Sequence, residues 1–172
     1  VLTANNCLVP DINLFGGRPY LFIPLNGLAP ADRKATLMEE INKNSLVSVQ
    51  EVGLKELLQE ASKYYDENNL QIAVEKLWDA FERLKTYYCS STVDKKKSVN
   101  KIIMDMGNNQ QPSLELFEKE FHELTILGNN FRIRHHETTK TDIQDKRHYE
   151  YFYKRCLSLI STAIQYLDGR NL

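Results

Sequence analysis

Residues 70–88 read L-Q-I-A-V-E-K-L-W-D-A-F-E-R-L-K-T-Y-Y, and this segment sets the class of fold. Ala73, Val74, Leu77, Trp78, Phe81, Leu84 and Tyr88 recur at steps of three and four. On a 3.6-residue period that spacing makes one wide apolar stripe about five turns long. Glu75, Lys76, Glu82 and Lys85 line the other side. A helix with such a face gains most of its stability from covering it, so it needs partners. Upstream, Leu54, Leu57, Leu58, Ala61 and Tyr65 keep the same period from Gly53 onward. Asp66-Glu67-Asn68-Asn69 closes that segment with polar turn residues. Two stripes joined by so short a loop predict an αα-hairpin.

Three further helical segments follow. Over 94–106, Val99, Ile102, Ile103 and Met106 form a short amphipathic stripe behind the basic start Lys95-Lys96-Lys97. Residues 107–112 form a polar loop. Ser113 is placed to cap a helix with Leu114, Phe117, Phe121 and Leu124 inward, and Glu115 and Glu118 put negative charge in its first turns. Leu116 stands where a capping box would want an acid or amide, so the cap is partial. Gly128 suits the stop of that helix. The last helix is expected over about 146–167, with Tyr149, Phe152, Tyr153, Cys156, Leu157, Ile160, Ala163, Ile164 and Leu167 on one face. The reading is mainly α: a helical bundle of four long helices plus a short one, over residues 51–172.

Residues 1–50 differ in character. Pro10, Pro19, Pro24 and Pro30 punctuate them, and Gly16-Gly17 separates the apolar runs 12–15 and 20–25. That pattern predicts a short irregular or β-hairpin arm. A helix over 32–42 would bring Leu37, Met38 and Ile41 to one face, with Asp32 near its start. The segment reads as an N-terminal arm or the remnant of another domain. The chain begins with Val1, which is consistent with a fragment or processed product and a possible upstream domain.

Composition bounds the partners. Hydrophobic residues make up 42% and charged residues 26% of 172, which excludes a mostly disordered chain. The net charge of −1 excludes a generally basic nucleic-acid binder, so any RNA contact must be a local patch. No apolar run approaches the ~20 residues of a membrane span, and no secretory leader is visible. Cys7, Cys89 and Cys156 are far apart and outside any C-x-x-C pair. They read as free thiols in a reducing cytoplasm. No metal site and no cofactor are predicted.

The richest chemistry lies at 128–137, G-N-N-F-R-I-R-H-H-E. On a helical backbone Arg132 and His136 would stand one turn apart, with Asn129 a turn earlier. A guanidinium binds phosphate through two parallel hydrogen bonds, and an imidazole moves protons near neutral pH. Together they can cleave RNA without a metal. The competing reading is structural: Arg132 or Arg134 pairs with Glu137, Asp142 or another carboxylate of the bundle. A metal held by His135, His136 and Glu137 is disfavoured, because adjacent helical residues diverge. Elsewhere, Trp78 and Cys156 read as core, Lys95 to Lys97 as a solvated helix start, and His122 as a residue at the core's edge. His148 would join the charged stretch if the last helix begins beside it.

The order of these elements carries a resemblance. An αα-hairpin reading A-V-E-K-L-W-D-A-F-E-R-L precedes a further helix, a short Arg/His segment and a long aromatic closing helix. This resembles the HEPN superfamily of helical domains in toxin–antitoxin and phage-defence systems, over roughly 53–167. The resemblance implies a homodimer that cuts RNA without metal, using an arginine and a histidine at the dimer interface. It assigns Arg132 to phosphate and His136 to proton transfer; Asn129, Arg134, His135 and Glu137 of the same stretch are the candidate phosphate-binding or supporting residues. The family places four to six residues between its arginine and histidine, whereas three separate Arg132 from His136. Non-catalytic members serve as RNA-binding or dimerisation modules of larger proteins, and the shorter spacing keeps that alternative open. An antitoxin is a further partner that the resemblance implies.

Overall fold

A computed structural model describes residues 51–134 and 138–168, all within one unit of the chain, Ala35–Leu172. The arm expected over 1–50, with its hairpin and helix, lies outside the described residues. The architecture is mainly α, with five helices in order. They are α1 (Val52–Asp66), α2 (Leu70–Leu84), α3 (Lys95–Gly107), α4 (Gln111–Asn130) and α5 (Lys146–Asp168). Among the described residues the only β pairing is an isolated parallel bridge between Phe131 and Thr141.

Glu51 begins α1. Its carboxylate accepts from the backbone N–H of Gly53 at 3.2 Å and of Leu54 at 2.6 Å. That satisfies two donors a helix start leaves orphaned. The same carboxylate takes both Nε and a terminal nitrogen of Arg83, at 2.7 and 2.6 Å, near the end of α2. One side chain therefore caps one helix and ties it to the next. The Arg83 guanidinium, followed by the backbone donors, holds the Glu51 carboxyl at about 2, below its ordinary 4.5. A carboxylate whose folded value is depressed contributes stability that is complete above pH 4.5 and fades as pH falls towards 2. Arg83 is half exposed, so the ion pair itself adds little, and the cap dominates at about 1 kcal/mol. Glu51→Ala should lower the unfolding free energy from urea titration at pH 7 by that amount. The gap from wild type should narrow at pH 3, and a gap that is the same at both pH values would refute the cap.

The hairpin forms as the sequence predicts. Asn68, at φ 60°, turns the chain, and the Asn69 N–H reaches back to the Tyr64 carbonyl at 2.9 Å. Asparagine tolerates this left-handed conformation better than most residues. α2 is the central element: Ala73, Val74, Leu77, Trp78, Ala80, Phe81 and Leu84 are buried along it. It packs on α1 and α5, and α3 packs on α4 and α5. α2 ends at Leu84, four residues before the stripe does. Tyr88 lies beyond it and is held by α3 instead, its N–H donating to Ser98 Oγ at 3.0 Å and its hydroxyl to Asp105 at 2.6 Å. Asp94 caps α3 by accepting from Lys97 N–H at 2.8 Å.

Two helix limits differ from expectation. α4 starts at Gln111, ahead of Ser113, because Pro112 fits the first turn, where no N–H is required. It also runs two residues past Gly128, which serves a different purpose: the Trp78 indole lies against the space its missing side chain leaves. α5 carries the widest buried face, from Phe152 to Leu167. Tyr65 of α1 stacks on Tyr153 of α5 at 4.3 Å between ring centres. Cys156 is fully buried, its thiol pushed far up by burial and directed at the Leu77 carbonyl, so it packs and does not react. None of the described helices is long and apolar enough to cross a membrane.

Candidate functional site

The stretch 128–137 divides at Phe131. Gly128, Asn129 and Asn130 complete α4, with Asn129 exposed on its last turn. Phe131 turns into extended backbone, φ −100° and ψ 145°. The Arg132 N–H then donates to the Thr141 carbonyl at 2.8 Å, and the Thr141 N–H to the Asn130 carbonyl at 3.0 Å. The helical register that would set Arg132 one turn from His136 is therefore not adopted at 131–134. The physical reason lies in the side chains. Ile133 is buried at 1% exposure, and Phe131 tilts against Phe152 of α5 at 5.4 Å between ring centres. Phe131 and Ile133 point inward while Arg132 and Arg134 stay half exposed, which is the period-two pattern of an extended segment. F-R-I-R alternates apolar and basic, and that alternation was the signal available in the sequence.

Both arginines have carboxylate partners. Arg132 pairs with Asp142 across the loop. Arg134 reaches back to Asp79 of α2, its Nε and a terminal nitrogen at 2.9 and 2.8 Å from one oxygen. Lys140 Nζ donates to the Gly128 carbonyl at 2.7 Å, a cation at the C-terminal end of α4, where the helix dipole favours it. The first contact closes the loop on itself, and the other two pin it to the bundle. His135, His136 and Glu137 lie outside the described residues. Of the six residues singled out, Asn129, Arg132 and Arg134 are placed, and the Arg132–His136 distance is not.

The start of α5 flanks the loop. Arg147 pairs with Asp145 at 2.6 Å, and the Asp145 carboxyl is held at about 2 by that guanidinium and the Arg147 N–H. His148 is exposed in the first turn, its ring 6.4 Å from that of Phe152, which also receives Phe131. Tyr149 lies near enough to Arg132 and Asp142 to sense both. Burial, then the Asp142 charge, raises its phenol, which stays protonated and able to donate. Periodicity placed Tyr149 on the core face and gave no sign of this role. His122 is exposed on α4. Trp78 is buried at 3%, as a core residue should be. Among the described residues no three His, Cys, Asp or Glu side chains converge as a metal site.

The arrangement can present guanidinium groups at a fixed spacing to a phosphate-bearing partner, which would have to compete with Asp142 and Asp79. No protein-family model, curated protein or solved structure matches the chain.

Proposed function

We propose that the chain is a HEPN-like helical module of a defence or toxin system. In this reading it dimerises and binds RNA phosphate through the loop 128–137 without cutting the strand. The observation that carries the reading is that Arg132 and Arg134 are both engaged by carboxylates. A guanidinium held this way can exchange one anion for another and so bind a backbone. Stabilising charge that exists only in a transition state needs a donor already aimed at it. Non-helical backbone from Phe131 onward also removes the helical register that would set the distance from Arg132 to His136.

A second reading, metal-independent cleavage by Arg132 and His136, draws on the groups around the loop. Tyr149, a protonated phenol, and His148 both lie at its edge, and each can move a proton. One experiment separates the two. Labelled RNA is titrated with wild type, Arg132→Ala and His136→Ala across a salt series and then resolved by length. The expected result is intact RNA, with binding that weakens steeply with salt and a log–log slope smaller by about one in Arg132→Ala. Shortened RNA from wild type but from neither variant would establish the second reading. Neither binding nor shortening would leave dimerisation alone, to be read from sedimentation.

A further inference from the structure

Lys85 is the one lysine or arginine buried among the described residues, with 6% of its surface exposed. The sequence places it on the polar side of α2 with Glu82. In the fold it follows the end of that helix and forms one wall of an open cleft of about 460 Å³. The cleft lies between Lys85, the first turns of α3 and the middle of α4. Val99 and Ile103 of α3 and Phe121 of α4 give it an apolar floor, and Lys95 and Lys96 stand at its rim. The volume suits a compact organic ligand.

The charges do not cancel there. A buried ammonium needs compensation. Lys85 has Glu82 at 2.5 Å, Thr125 Oγ1 at 3.3 Å and the Phe81 ring at 4.7 Å. Glu82, however, also binds Lys95. Burial raises the Glu82 carboxyl, and the two ammonium groups together outweigh it, so the net displacement is downward. Lys85 is displaced downward by burial, with Glu82 opposing and Lys95 adding repulsion. Two ammonium groups thus share one carboxylate, and among the described residues no ion pair engages Lys96. Against the ammonium groups of Lys85, Lys95 and Lys96 stand the carboxylates of Glu82 and Glu118, which leaves one positive charge among these five on a chain of net −1. A purely structural pair would need only one cation for Glu82.

We propose that this cleft binds a small organic anion, a carboxylate or phosphate joined to a flat apolar body. The anion lies among Lys85, Lys95 and Lys96, and the body over Val99, Ile103 and Phe121. None of these residues belongs to the loop 128–137, so this site and the proposed RNA function stand or fall separately.

The probe is 8-anilinonaphthalene-1-sulfonate, one anion on a flat apolar body, titrated into the full chain and followed by fluorescence. Saturable binding of one molecule per chain is expected. The double variant Lys95→Gln/Lys96→Gln changes only exposed side chains and keeps the fold, and it should bind at least tenfold more weakly. Lys85→Met, which preserves the packed stem, should do the same. Displacement by adenosine monophosphate would identify a phosphate ester as the ligand class, and displacement by benzoate a carboxylate. Unchanged binding by the folded double variant, absence of saturation, or displacement by neither competitor would overturn the proposal.

Discussion

Phe81→Ala is expected to lower the stability of the chain by about 4 kcal/mol, in the usual range for truncating a fully buried aromatic ring. Phe81 is fully buried in the last turn of α2. Its ring meets Trp78 edge-on at 6.0 Å and Phe121 of α4 at 5.6 Å, so it joins two helices at one point. It also carries the Lys85 ammonium over its face at 4.7 Å, a contact that contributes about 1 kcal/mol at a partly desolvated site. Alanine would leave a cavity on one side and weaken support for a buried cation on the other. Phe81→Leu refills most of the volume and should lose less than half as much. The measurement is urea unfolding with the slope compared between variants, since an unchanged slope assigns the shift to stability. A loss below about 1 kcal/mol for Phe81→Ala would mean that neighbouring rings close the gap. The junction of α2 and α4 would then rest elsewhere.

The bundle was legible because its information is repeated. Seven positions of α2 point the same way, so no single exception could hide the stripe. The hairpin turn was legible for a local reason: Asn68 and Asn69 are residues that leave a helix cheaply. Gly128 shows where that reasoning runs out. A glycine near the end of an apolar pattern reads as a stop, yet here it is a gap for an indole supplied from fifty residues away. Lys85 is the same kind of case. Its period position is solvent-facing, and only the arrival of α3 and α4 buries it. The arginines of the loop were anticipated as ion-pair candidates, and Asp142 is one of the partners named for them. Asp79 could not be named from the sequence, because it approaches Arg134 from another helix. The departure from helix at 131–134 was legible in principle, since four residues alternate apolar and basic. The charged groups beside them are equally compatible with a helical face, so charge density alone does not distinguish the two backbones.

Gly128→Ala is expected to destabilise the chain by about 2 kcal/mol, although alanine is the better helix former. The propensity gain is about 1 kcal/mol in a helix interior. Against it stands a collision. A Cβ at this position would overlap the Trp78 indole nitrogen and lie 3.0 and 3.1 Å from Cε2 and Cδ1 of the same ring. Trp78 is 3% exposed and backed by Phe81, so the indole has no room to retreat. Either the ring leaves its rotamer or the end of α4 shifts, and overpacking of this kind costs about 3 kcal/mol at the upper end of its usual range. A shift of α4 would carry the loop with it, because Lys140 is bonded to the Gly128 carbonyl. Trp78 is the only tryptophan, so its fluorescence reports this one contact. A double-mutant cycle isolates it: in a Trp78→Phe background the smaller ring should accept the added methyl, and the penalty of Gly128→Ala should shrink by at least about 1 kcal/mol. Equal penalties in both backgrounds would show that the methyl meets something other than the indole. A stabilising Gly128→Ala would show that helix propensity governs this position.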